Sequence, residues 1–68
     1  MSSTLDNLIR MANQIAANLQ HEPNVPEAVA EHIRLFWDPR MKQMIFAHDN
    51  DGLLPDAAAA ITRLKTEA

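Results

Sequence analysis

Cysteine is absent from this chain, which removes disulfides, thiolate metal sites, iron–sulfur ligation and cysteine nucleophiles in one stroke. Glycine occurs once, at Gly52, so no glycine-rich loop can cradle a phosphate or a dinucleotide. Aromatic residues make up only 4% of the sequence; the apolar mass comes from alanine, leucine, isoleucine and four methionines, and the core is expected to be thin. The longest apolar run, Ala57 to Ile61, is far shorter than the roughly 18 residues of a spanning helix, so no membrane crossing is expected. A basic excess is also missing. Six Lys and Arg stand against nine Asp and Glu, for a net charge of −3, the wrong sign for neutralising the phosphates of a nucleic acid. The opening Met1 to Asn7 has no basic stretch followed by an apolar run, so it does not read as a secretory signal, and a cytoplasmic location is expected.

What remains is 68 residues, 47% of them apolar, enough for one domain over residues 1–68 and no more. Domains below roughly 70–80 residues seldom gain enough from burial alone and usually add disulfides, a metal or a partner chain. With the disulfide route closed, a partner chain is the expected brace.

Periodicity predicts an all-α fold, a small bundle of three to four short helices. Leu5, Leu8, Ile9, Ala12, Ile15, Ala16 and Leu19 recur at spacings of three and four and form one stripe of a first helix, with Ser2 or Ser3 as its cap. Gln20 to Val25 reads as a linker, and Pro26 suits the first turn of a second helix reaching Trp37. There Val29, Ile33 and Phe36 share a face, with Ala30 and Trp37 displaced to its side. Asp38 is a good cap for a third helix, about Pro39 to His48, which carries Met41, Met44, Ile45 and His48 on one side and Phe46 at least a quarter-turn away. Asp49 to Gly52 is a turn. A fourth helix begins near Pro55, its alanine run giving high helix propensity but little burial per residue. No alternating β-branched run predicts a strand.

Chemistry has little to work with. Aligning Gly52 to the glycine of a calcium loop puts Ala47 at the first ligand position and Ala58 where a bidentate glutamate is needed. His21, His32 and His48 fall on three elements without zinc-motif spacing. There is no Gly-x-Ser-x-Gly elbow, and the carboxylates sit at turns and helix ends, where capping explains them. No catalytic, cofactor-binding or metal-binding residue is predicted.

Two surface features stand out instead. The outer side of the first helix holds Asn7, Gln14 and Asn18, with Asn13 at its edge; either chance composition or a surface covered by another chain accounts for it, since amides cost less to desolvate than charges. The second is Phe36-Trp37-Asp38-Pro39-Arg40-Met41. Adjacent helical residues point about 100° apart, so Phe36 and Trp37 cannot both be central to one packing surface. Phe36 is assigned to the core and Trp37 and Arg40 to docking, because Trp and Arg are the residues most enriched at interface hot spots. Trp37, Asp38, Arg40, Met41, Phe46, Asn13 and Gln14 are the candidate partner-binding residues.

Met11-Ala12-Asn13-Gln14-Ile15-Ala16, the Phe36 to Met41 hexapeptide, and Leu54-Pro55 leading into an alanine-rich last helix resemble the delta subunit of bacterial NAD-dependent, molybdenum-containing formate dehydrogenase. The resemblance spans nearly the whole chain, and the hexapeptide is its most specific part. It implies an accessory subunit beside a catalytic large subunit that holds bis-molybdopterin guanine dinucleotide and iron–sulfur clusters, with further subunits carrying FMN and the NAD site. It further implies a role in assembly, cofactor retention or stability of the active complex rather than in hydride chemistry. The competing expectation is a free-standing homodimeric regulatory or adaptor protein that completes its core with a second copy.

Overall fold

Four helices carry the chain in a computed structural model that describes residues 4–67: α1 (Thr4–Asn18), α2 (Val25–Phe36), α3 (Pro39–Ala47) and α4 (Pro55–Glu67). The described residues contain no strand, and the fold is the small all-α bundle that periodicity predicts. The expected Ser2 or Ser3 cap lies outside the described residues.

On α1 the fully buried positions are Leu8, Ala12 and Ala16, one residue per turn. Leu5, Ile9, Ile15 and Leu19 flank them and pack on the core at half burial. Helix α2 starts at Val25, so the predicted linker ends one residue early. The reason is Asn24, which adopts an extended backbone and accepts a bond from Glu27 N at 3.2 Å through its side chain, leaving Pro26 in the first turn.

The far end of α2 corrects the sequence reading. Trp37 is 5% exposed and belongs to the core, whereas Phe36 is 72% exposed. The buried positions of α2 are Val29, Ala30 and Ile33, and continuing that stripe by four residues from Ile33 leads to Trp37, not to Phe36. Trp37 closes the helix with its N–H on Ile33 O at 3.0 Å. Its backbone is already extended (φ −89°, ψ 138°). The assignment of Phe36 to the core and of Trp37 to an outward face is therefore reversed.

Asp38 caps α3 as expected, its carboxylate accepting from Met41 N at 2.9 Å with Pro39 in the first turn. Only Ile45 is fully buried on this helix; Met41, Met44 and Phe46 are half-buried on different sides of it. Helix α3 stops at Ala47, and His48 is its C-cap. The turn that follows places Asn50 at φ 71° and Gly52 at φ 83°, conformations that Asn tolerates and Gly adopts freely. Asp51 N donates to Asp49 Oδ1 at 3.1 Å within it.

Helix α4 packs along α2 and buries Ala57, Ala60, Ile61 and Leu64. Five of the twelve buried apolar residues, Ala12, Ala16, Ala30, Ala57 and Ala60, are alanines. The core is thin in volume, as expected, and small side chains let the helix axes come close. It is nonetheless closed. The accessible surface is 4338 Å², against roughly 4,300 Å² for a compact monomer of this mass.

Candidate docking surface

One side of the bundle carries large apolar groups that no described residue covers. Met11, Ile15 and Leu19 follow one another at intervals of four along α1. Ala28, His32 and Phe36 do the same along α2. Between the two rows lies a groove of about 410 Å³ bounded by Arg10, Met11, Gln14, Ile15, His32, Phe36, Trp37 and Met41. A second depression of about 310 Å³ adjoins it beside Leu19, Glu22, Ala28, Glu31 and Leu35, with His32 and Phe36 lining both. The rows run antiparallel, since Leu19 lies near Ala28 and Met11 near Phe36 and Trp37.

The protruding groups are Phe36 and Met11, at 42% exposure, on the two walls and Leu35, at 65%, beside the second depression. Phe36 rests against the His32 ring one turn earlier, with ring centroids 4.8 Å apart and planes tilted by 40°. Trp37 closes one end of the groove from within the core, so it shapes the floor without projecting.

Charge is distributed unevenly around this trough. Arg10 stands at one end; Glu22 and Glu31 stand at the other. Arg34 bonds Glu31 at 2.6 Å and Glu67 at 2.7 Å. Arg63 pairs with Glu27, Lys42 donates to Arg34 O and Lys65 to His48 O. Of the six cationic side chains, only Arg10 and Arg40 make no hydrogen bond or ion pair with another described residue.

The seven residues singled out by sequence do not form one site. Gln14, Trp37 and Met41 meet at the groove, and Arg40 is exposed beside Met41 in sequence. Asp38 is occupied as the α3 cap. Phe46 lies elsewhere, in a cleft with Arg34, Lys42, Leu64 and Glu67. The assignment of Asn13 to the partner-binding residues is corrected. Its Nδ2 donates to Gly52 O at 2.9 Å, and its Oδ1 accepts from Leu54 N at 2.8 Å. Both amide ends are thus spent on clamping the α3–α4 turn, while the next residue, Gln14, makes only a 3.4 Å contact to Asn18. Leu35, Met11 and Arg10 are surface residues that sequence reasoning passed over; it assigned Phe36 to the core and weighed His32 only as a metal ligand. The signal for Phe36 was its place on the flank of the Val29–Ala30–Ile33 stripe.

The model of one family, described as NADH-dependent formate dehydrogenase delta subunit FdsD, matches residues 7–61. The chain belongs to this family. That stretch holds all of α2 and α3, most of α1 and both walls of the trough. No curated protein and no solved structure matches the chain. Membership makes this a delta subunit of a formate dehydrogenase, as the resemblance implies. No helix among the described residues is long and apolar enough to cross a membrane, and no three His, Asp or Glu side chains among them are grouped to hold a metal ion.

Proposed function

We propose that this chain is a non-catalytic accessory subunit that docks on the catalytic large subunit of the formate dehydrogenase through the α1–α2 trough. The exposed Phe36 and Leu35 carry the reading: a 68-residue fold that is already closed gains nothing internally from two large apolar groups in water, while an interface does. On this reading bis-molybdopterin guanine dinucleotide, the iron–sulfur clusters and FMN belong to the partner subunits, and a cysteine-free chain offers them no thiolate. A cytoplasmic location is part of the same proposal and rests on the family.

The mechanism is linkage. A subunit that binds the assembled, cofactor-loaded state of its partner more tightly than the empty state shifts the equilibrium toward the loaded state by that difference in affinity. It need not touch the reacting atoms. Co-expression of the catalytic subunits with and without this chain, followed by molybdenum content and formate oxidation of the purified complex, tests the proposal. Lower values without the chain are expected, and equal values refute an assembly role. Sedimentation of the isolated chain addresses the competing homodimer: a monomer is expected, and a tight dimer favours the adaptor reading.

A further inference from the structure

We infer that the trough seats an amphipathic helix of the large subunit, with a carboxylate of that helix over Arg10 and a cationic side chain near Glu22. The inference rests on the docking reading above and specifies what docks and in which direction.

Shape is the first argument. Each wall is a row of three residues spanning eight positions, about 12 Å along its helix axis. The space between is an open trough rather than an enclosed cavity, and the two depressions adjoin at His32 and Phe36, which line both. An elongated apolar channel bordered by two helices takes a third helix, which lays residues at i, i+3 or i+4 and i+7 between the rows. The length matches just over two turns of the occupant.

Charge is the second argument, and it fixes the direction. The chain is acidic overall, yet among the described residues that line the groove at the Met11 end the only charged side chain with a fixed sign is Arg10. Like charges there would repel, and an apolar occupant with no carboxylate would strip water from a guanidinium without replacing its bonds. At the Leu19 end the sign reverses with Glu22; Glu31 beside it is already paired with Arg34 at 2.6 Å. Among the described residues, the Glu22 carboxylate pairs with His21 alone, at 3.2 Å.

A second copy of this chain fits less well. A two-fold arrangement would set one concave trough against another and leave unfilled space between them, whereas interiors and tight interfaces are close-packed. The remaining large exposed apolar residue, Leu54, sits by itself after the α3–α4 turn and offers no helical face to fill a trough.

The test titrates the purified full-length chain onto a formate dehydrogenase complex prepared without it, and maps contacts by cross-linking with mass spectrometry. Circular dichroism confirms the fold of each variant. Phe36→Ala is expected to weaken binding about thirtyfold, and Arg10→Glu about tenfold, with Arg10→Lys close to wild type. Leu35→Ala, at an exposed position beside the second depression, serves if Phe36→Ala loses helicity. Cross-links from α1 and α2 should fall on a helical segment of the large subunit bearing an acidic residue at the Arg10 end. If the wild-type chain does not bind the complex, the docking reading fails and this inference with it. If it binds, but Phe36→Ala, Leu35→Ala and Arg10→Glu bind equally well, docking stands and the trough is not its site. Cross-links running from trough to trough between two copies overturn the inference in favour of self-association.

Discussion

Helix α2 has two faces with opposite fates. Toward α4 it presents Ala30 and Ile33 to Ala57, Ala60 and Ile61, all fully buried, and the rim of that seam is stitched by Arg34 to Glu67 and by Glu27 to Arg63. Toward the trough it presents Phe36, Leu35 and His32, with Arg10 unpaired across the way. On the first face every apolar group has a partner and the cations are matched by carboxylates. On the second neither is true. The contrast separates two meanings of a small hydrophobic inventory: the thin core predicted a domain needing a neighbour in order to fold, whereas the packing indicates a fold that closes alone and keeps a separate apolar surface in reserve.

The pair Trp37 and Phe36 gives the largest expected effect and the most direct way to break this comparison. Trp37→Ala removes a buried indole and should destabilise the chain by about 3–5 kcal/mol, which urea denaturation of the isolated chain measures. Phe36→Ala should change the same midpoint by no more than about 0.5 kcal/mol, because the ring is mostly in water. An equal loss for both would mean that the trough wall is part of the core.

Sequence periodicity made the four helices legible, since caps and prolines punctuate them: Asp38 and Pro39 start α3 where expected, and Asp49 to Gly52 is the turn it reads as. The fault lay at the end of α2. Whether Phe36 or Trp37 turns inward depends on where the centre of a stripe lies, and a twelve-residue helix with alanine at a core position gives that centre weakly. Interface statistics then favoured Trp as the outward residue, and packing decided otherwise. Asn13 was illegible for a different reason. Its partners Gly52 and Leu54 are 39 and 41 residues away, and no local pattern announces a long-range amide clamp. The apolar trough was hidden likewise, because its walls come from two helices whose relative placement the sequence does not state.

Neighbouring amides on α1 sharpen the comparison at an intermediate scale. Asn13→Ala leaves Gly52 O and Leu54 N without their side-chain partner, a loss of about 1–2 kcal/mol. Amide hydrogen exchange at Leu54 should quicken in parallel. Gln14→Ala, one residue on, should leave both quantities unchanged, since Gln14 holds nothing inside the fold. Quickened exchange at Leu54 in Gln14→Ala would mean that the amide face acts as one unit and that its division between clamp and trough is wrong.

A smaller effect is expected at the Asn24 cap, where Asn24→Ala should cost about 1 kcal/mol and show as fraying of the Glu27 and Ala28 amides. The seam between α2 and α4 and the trough are unaffected by it, so a change in binding to the dehydrogenase in this variant would tie the start of α2 to docking, through the Ala28 and Glu22 end of the trough.

The smallest effect concerns the charges themselves. Arg34 and Glu67 are 34% and 46% exposed, so water and salt screen the pair, and a double-mutant cycle with Arg34→Met and Glu67→Gln should give a coupling of about 0.5 kcal/mol that fades as salt is raised. The seam is then held by its alanines and isoleucines, with the ion pairs fixing which helix faces meet. Arg10 should differ in kind: Arg10→Met leaves the stability of the isolated chain unchanged and alters only the salt dependence of binding to the large subunit. If Arg10→Met instead changed chain stability as much as breaking the Arg34 pair does, Arg10 would belong to the internal network, and the trough would lose the charge that orients its occupant.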